Sequence, residues 1–134
     1  MKKHNIFILV AILLILHSCD RPYRDIECYD TKPTEGIIFI KVTIDEATQS
    51  VPITFFEGKH EAGKVVLRDT LVMDTASYNV PVNTYYSITA EYKKDDKIII
   101  AIQGGEVKTT KSSDEFDGTE CWNIKNLTLN LRLK

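Results

Sequence analysis

The sequence predicts an all-β fold, and three observations lead to that class. After residue 35, apolar residues recur at every second position, no segment keeps a helical period, and turn-forming residues separate the apolar runs. The length of 134 residues corresponds to a single domain. Alternating faces in about seven strands favour an antiparallel two-sheet β-sandwich, with a closed barrel as the alternative.

Each strand is expected where the alternation is clearest, because a strand that buries one face carries apolar residues at every second position. The predicted strands, with the residues expected to share a face, are 36–44 (Ile38, Ile40, Val42 and Ile44), 51–55 (Val51, Ile53 and Phe55), 64–73 (Val65, Leu67 and Leu71, facing inward), 78–82 (Tyr78, Val80 and Val82), 85–93 (Tyr86, Ile88, Ala90 and Tyr92), 98–102 (Ile98, Ile100 and Ile102), a weaker strand ending near Lys111, and 127–133 (Leu127, Leu129, Leu131 and Leu133).

Polar and glycine-containing segments predict the connections between these strands. Residues 58–63 form a loop bounded by two glycines, Asn83-Thr84 a tight turn, and 93–96 the polar tip of a hairpin. The Gly104-Gly105 pair predicts a β-bulge.

The N-terminus is typical of an export signal. Lys2 and Lys3 precede residues 6–16, an apolar run without a charged or polar side chain. A membrane-spanning helix needs about 20 apolar residues, whereas the core of a signal peptide needs only about 7–15. Residues 1–18 therefore predict a cleaved signal peptide, whose removal takes two lysines away from a chain of formal charge -2.

The segment Leu16-His17-Ser18-Cys19 places a cysteine directly after the apolar run and a small residue before that cysteine. It resembles the lipobox of bacterial lipoproteins, although His17 departs from the residues usual at its position. The resemblance implies a diacylglycerol on Cys19, cleavage before Cys19, and acylation, for example by palmitate, of the new amino terminus. The alternative is a plain secretory signal followed by a free or disulfide-bonded Cys19.

This organisation divides the chain into a signal peptide (1–18), a lipidated cysteine with a polar tether (19–35) and a β-sandwich domain (36–134). The acyl chains would anchor the protein in a membrane without a spanning segment. We therefore expect a cell-envelope protein in the inner or outer membrane, with the outer membrane or cell surface favoured.

Two further cysteines, Cys28 and Cys121, remain once Cys19 carries a lipid. An exported chain meets an oxidising compartment, and an even pair of cysteines there predicts a disulfide. Two unpaired thiols are the alternative. A Cys28–Cys121 bond would close a long loop, and such a loop strongly restricts the unfolded chain.

The alternation and spacing of the predicted strands, clearest in residues 51–58, 69–70 and 85–92, resemble those of the immunoglobulin-like or transthyretin-like sandwich modules of exported bacterial proteins. Asp69-Thr70-Leu71 and Asp74-Thr75-Ala76 also resemble the Asp-Thr-aliphatic acceptor for O-glycosylation in the Bacteroidetes group. That resemblance implies Thr70 and Thr75 as modified residues.

Groups for catalysis are scarce after the signal peptide, where His60 is the sole histidine and lies between Lys59 and Glu61. Nucleophilic catalysis usually needs a histidine base, and zinc needs a larger set of His and Cys ligands than this. The acidic residues 114–120 lack the spacing of a calcium loop, so a solvated loop is the better interpretation. We expect no enzyme, no metal site and no cofactor.

Composition also argues against nucleic acid as a partner, because the chain is slightly acidic, with 17 Lys and Arg against 19 Asp and Glu. Trp122 adjoins Cys121, where it would pack against the disulfide; exposed beside Phe116, it would form a platform for a sugar or a protein.

The sequence thus predicts a lipoprotein whose sandwich is a non-catalytic binding or structural module for a protein or glycan. An exposed sheet edge that takes a partner's strand is one way to bind. The alternative is a small envelope hydrolase or protease inhibitor.

Overall fold

The computed structural model describes residues 27–113 and 120–134, and the predicted signal peptide, Cys19 and Phe116 lie outside them. The described residues form nine β-strands: β1 (Glu35–Lys41), β2 (Val51–Glu57), β3 (Lys64–Leu71), β4 (Thr75–Pro81), β5 (Tyr85–Lys94), β6 (Lys97–Glu106), β7 (Lys108–Ser113), β8 (Glu120–Lys125) and β9 (Leu127–Asn130). The predicted all-β class is confirmed.

Seven strands form two packed sheets, and the other two form a separate hairpin. One sheet has the order β4-β1-β9, the other has the order β3-β2-β5-β6, and β7 pairs with β8. The core between the two sheets is built from alternate residues of their strands. This is the arrangement of a β-sandwich.

The inward faces predicted for β1, β2 and β5 are confirmed, but Ser87 and Thr89, on the outer face of β5, are buried as well. The inward residues of these strands are fully or nearly fully buried: Ile38, Ile40, Val51, Ile53, Phe55, Tyr86, Ile88, Ala90 and Tyr92. Val42 is buried directly after β1. Leu129 and Leu131 are buried at the C-terminal end, while Leu127 and Leu133 pack against the core from partly buried positions.

Tyr92 joins the two sheets at one end of the sandwich. Its hydroxyl donates to the carbonyl oxygen of Leu131 over 2.7 Å and accepts from the backbone N–H of Thr43 over 3.1 Å. A buried hydroxyl without partners would be costly, so these two bonds allow the large ring to lie inside the core.

The expectation of a wholly antiparallel sandwich is wrong at one strand, because β9 runs parallel to β1, with Ile40 opposite Leu129. The last strand is also shorter than predicted, since its ladder ends at Asn130. Beyond that residue the backbone still bonds to neighbours, with the N–H of Leu131 donating to the carbonyl of Lys41 over 2.8 Å.

The burial predicted for Val65 and Leu67 is wrong. Leu67 does face inward, opposite the buried Phe55, but the shift in the ladder places Val65 opposite Phe56, on the outer face. These side chains are 37% and 38% exposed, and Leu71 is the buried residue of β3. The three-stranded sheet is narrower than the four-stranded sheet, so it leaves the edge strands β3 and β6 largely uncovered. Period-two alternation marks a strand but does not show that a second sheet covers it.

The turns match their predictions. Asn83 has a φ of 57°, and Asp95 and Asp96 have φ values of 50° and 59°. Asn and Asp tolerate this left-handed region better than most residues, and two such residues in succession suit a two-residue hairpin.

The bulge predicted at Gly104-Gly105 is wrong, because β6 pairs with β5 without a change of register. The ladder shifts instead between Phe55 and Phe56. The glycines serve close packing: a Cβ on Gly104 would lie 2.6 Å from the Tyr85 hydroxyl, and one on Gly105 would lie 2.9 Å from Leu127.

The segment that precedes β1 is fastened to the β7–β8 hairpin. Cys28 and Cys121 lie at disulfide-bonding distance, with their Cα atoms 5.3 Å apart. Tyr29 and Trp122 exchange two backbone hydrogen bonds of 2.9 Å. The tether predicted over 19–35 is therefore held to the domain from Cys28 onward.

The core predicts that alanine substitutions of two isoleucines on neighbouring strands will differ in their effect on stability. Ile88→Ala should lower the free energy of unfolding by about 2–5 kcal/mol, because it leaves a cavity between the sheets. Ile98→Ala, at an exposed position of β6, should change it by less than about 0.5 kcal/mol. Urea unfolding of both variants measures the difference, and equal losses would contradict the assigned faces.

Candidate functional site

A groove lies on the side of the sandwich where β3 and β4 form the edges of the two sheets. The connection of residues 72–74 crosses there from β3 to β4. The backbone N–H of Val42 donates to the carbonyl of Asp74 over 2.9 Å, which fixes the end of the crossing against β1. Arg132 also contacts Asp74, with 3.4 Å between Nη2 and Oδ2.

The groove has a volume of about 730 Å³ and is largely apolar. Its lining comes from β1, β3, β4, β9 and the crossing connection: Phe39, Ile40, Lys41, Asp69, Thr70, Leu71, Val72, Met73, Thr75, Ala76, Ser77, Tyr78 and Thr128. Val72 and Met73 are 67% and 69% exposed, so two large apolar side chains stand in solvent at its border. Phe39 adds an exposed aromatic ring from the outer face of β1.

Asp69 and Tyr78 form a polar bridge within this lining. The Tyr78 hydroxyl donates to Asp69 Oδ2 over 2.6 Å, and the backbone N–H of Thr70 donates to Asp69 Oδ1 over 2.7 Å. The Tyr78 ring packs edge-on against Phe55, with ring centroids 4.8 Å apart. The bridge links β3 of one sheet to β4 of the other.

The bridge shifts both pKa values in directions that keep it intact. The hydrogen bonds from Tyr78 and from the Thr70 N–H lower the pKa of the Asp69 carboxyl. Burial and the hydrogen bond to Asp69 raise the pKa of the Tyr78 hydroxyl. At neutral pH, Asp69 is therefore an ionised acceptor and Tyr78 a neutral donor.

The two threonines singled out from the sequence, Thr70 and Thr75, both line this groove and are exposed. Thr70 lies on β3 opposite Pro52, and Thr75 is the first residue of β4. Their O-glycosylation stays a prediction.

The other predicted residues lie elsewhere. Cys28, Cys121 and a half-buried Trp122 lie together at the β8 side, where the Lys32 ammonium is 5.4 Å from the centroid of the Trp122 ring. Phe116, the proposed neighbour of Trp122, lies outside the described residues, as does Cys19.

His60 lies in the β2–β3 loop and is half-buried, with 3.1 Å between its Nδ1 atom and Oε2 of Glu61. Of the acidic residues 114–120, only Glu120 is described, and it forms an ion pair with Lys111. Within 27–113 and 120–134, no cluster of three His, Cys, Asp or Glu side chains could hold a metal ion. In the same part of the chain, no helix has the length and hydrophobicity that crossing a bilayer requires.

Sequence reasoning missed Phe39, Val72 and Met73 as site residues. One signal was present: Leu71-Val72-Met73 is an unbroken apolar run that departs from the alternation of β3 just before Asp74. Because neighbouring side chains of a strand lie on opposite faces, a run of three apolar residues places at least one of them away from the core face. Phe39 carries no comparable signal, because every second residue of a strand faces outward.

Comparison with known proteins found no matching family model, no matching curated protein and no matching solved structure.

The Asp69–Tyr78 bridge predicts a dependence of stability on acid pH. Because the folded-state pKa of Asp69 is lowered, its carboxylate stabilises the fold above the ordinary Asp pKa of about 3.9, and this contribution is lost as pH falls through the folded-state pKa. Asp69→Asn should therefore destabilise the protein at pH 7, and the deficit relative to wild type should shrink towards pH 3. Urea midpoints at both pH values measure it.

A double-mutant cycle with Tyr78→Phe checks the assignment. The two substitutions should be non-additive at pH 7, because either one removes the same hydrogen bond. Additive effects, or a stability deficit of Asp69→Asn that does not change with pH, would show that the Asp69–Tyr78 bridge does not cause the pH dependence.

Proposed function

We propose that this chain is a lipid-anchored protein of the cell envelope whose β-sandwich binds a partner protein and performs no catalysis. The groove beside the β3–β4 connection carries the proposal. Its apolar lining and the exposure of Val72 and Met73 are typical of a surface that is covered by a partner.

The chemistry of the lining favours an apolar side chain from a protein over a sugar. Phe39, Leu71, Val72 and Met73 supply apolar contact area, and the thioether side chain of Met73 adapts to irregular shapes. The Asp69 carboxylate already accepts two hydrogen bonds from the chain itself, so part of its capacity for sugar hydroxyls is taken. An extended segment of a partner protein with one apolar anchor residue fits this groove best.

The pKa directions support a non-catalytic role for the groove. A carboxyl that acts as a general acid near neutral pH needs a raised pKa, as in glycoside hydrolysis. The pKa of Asp69, the carboxylic acid in the lining, is lowered instead. This argues for binding over the hydrolase alternative.

Lipid attachment at Cys19 rests on the sequence of residues 16–19 and on the short apolar run before them. The envelope location follows from the same segment, with the outer membrane or cell surface as the favoured site.

Lipidation predicts that cells fed an alkyne-tagged fatty acid will label the wild-type chain and will not label Cys19→Ser, because the thioether to the diacylglycerol needs the Cys19 thiol. Fluorescent detection after purification measures the label. Cys28→Ser is the matched control and should keep the label, since it removes a cysteine but leaves the anchor. Label on Cys19→Ser, or none on wild type, would disprove the anchor.

The groove predicts a specific contact at Met73. A photo-crosslinking amino acid at Met73 should give a discrete adduct with one envelope protein in intact cells, whereas the same group at the exposed Val66, outside the groove, should not. Adding Phe39→Glu should weaken the adduct about tenfold or more, because it places a charge among the apolar contacts. Equal adducts from both positions, or no effect of Phe39→Glu, would argue against the groove.

A further inference from the structure

The edge strand β6 carries a row of exposed isoleucines. Ile98, Ile100 and Ile102 share the outer face of the four-stranded sheet and are 63%, 53% and 42% exposed. The unpaired backbone groups of an edge strand can pair with a strand of another chain, and exposed apolar side chains favour that pairing. Soluble proteins therefore seldom leave a row of apolar side chains along a sheet edge.

The edge at β6 lacks the features that usually prevent such pairing. It has 10 residues, contains no proline and keeps one register with β5 throughout. The opposite edge, β3, is protected by a shift in its ladder and by the charged side chains of Arg68 and Asp69. The two edges of the same sheet therefore differ in their capacity to accept a strand.

We propose that β6 pairs in antiparallel fashion with β6 of a second copy of this chain, across a two-fold axis that passes beside Ile100. Such an axis, perpendicular to the sheet, continues the sheet into a second copy with both outer faces on the same side. The interface is then isologous, which is the commonest form of homodimer contact.

The sequence of β6 is nearly symmetric about Ile100, and this symmetry selects the register. Ile98 of each copy faces Ile102 of the other, Ile100 faces its own equivalent, and Ile99 faces Ala101. In an antiparallel pair, directly opposed side chains lie on the same face and contact each other. Shifting the register by two residues towards the C-terminus would place Ile98 of each copy opposite Gly104 and reduce the Ile–Ile pairs on the outer face from three to two.

Charge is compatible with the same register. Lys97 is the one charged residue between 97 and 103, and it faces Gln103 of the other copy. Centring the pairing on Lys97 would instead set two ammonium groups opposite each other, which is destabilising. The register that matches the isoleucines therefore brings no like charges together.

The contact is small, so it should be weak in dilute solution and stronger where copies are concentrated. Anchoring both copies in one membrane would raise their effective concentration. The proposal is independent of the groove, because β3 and β6 lie at opposite edges of the sheet.

Cysteine cross-linking of the full chain in its native membranes tests the dimer. Ile100→Cys should give a reductant-sensitive dimer band, since the two-fold axis places the new thiols side by side. Ile98→Cys and Val66→Cys are matched controls at exposed positions and should give several-fold less dimer, because neither thiol faces its own equivalent.

Sedimentation of the purified full chain in mild detergent is the second measurement. Wild type and Val66→Lys should dimerise, and Ile100→Lys should be monomeric. A monomeric wild type, equal cross-linking at all three positions, a ladder beyond the dimer, or a band containing another protein would each overturn the two-fold pairing.

Discussion

The burial of Tyr92 determines which side chains of β5 and β6 face the core, and most of the sandwich depends on that choice. Its hydroxyl bonds to the backbone at Leu131 and Thr43, so the ring can lie inside the core with its polar group satisfied. Because side chains alternate along a strand, a buried Tyr92 also directs Ala90, Ile88 and Tyr86 inward. The same alternation turns Glu91 and Lys93 outward, and the β5–β6 ladder then places Ile98 and Ile100 on that outer face. A slip of one residue would bury the charges of β5.

The buried residues could be predicted from the sequence for strands that alternate regularly and are covered by the other sheet. They could not be predicted for strands that the other sheet leaves uncovered. β5 is the clearest success, because each apolar residue expected inside is buried. The expected burial failed at Leu67, which faces inward, because coverage depends on how many strands the opposite sheet contains. It failed at Val65 because the shift in the β2–β3 ladder turns this residue to the outer face. The parallel pairing of β9 is likewise a consequence of topology, and the pattern of Leu129 and Leu131 looks the same in either direction.

The groove shows the same division between local and tertiary information. Thr70 and Thr75 were found through short motifs, but their common location depends on the crossing from β3 to β4. Asp69 and Tyr78 meet only because those strands lie at the same side of the sandwich. The groove and the isoleucine row lie at opposite sheet edges, so a partner in the groove and a second copy at β6 would not compete.

The link between Cys28 and Cys121 has a geometric consequence for a chain held by its N-terminus. With a lipid on Cys19, as proposed, the stretch up to Cys28 spans at most about 30 Å, at 3.3–3.6 Å per residue. Without the Cys28–Cys121 link and the Tyr29–Trp122 contact, the free part of the tether would extend to Glu35 and span about 55 Å. With such an anchor, the disulfide would limit how far the sandwich stands from the lipid head groups. It would also place the attachment point of the tether beside β8, since Cys121 lies on that strand.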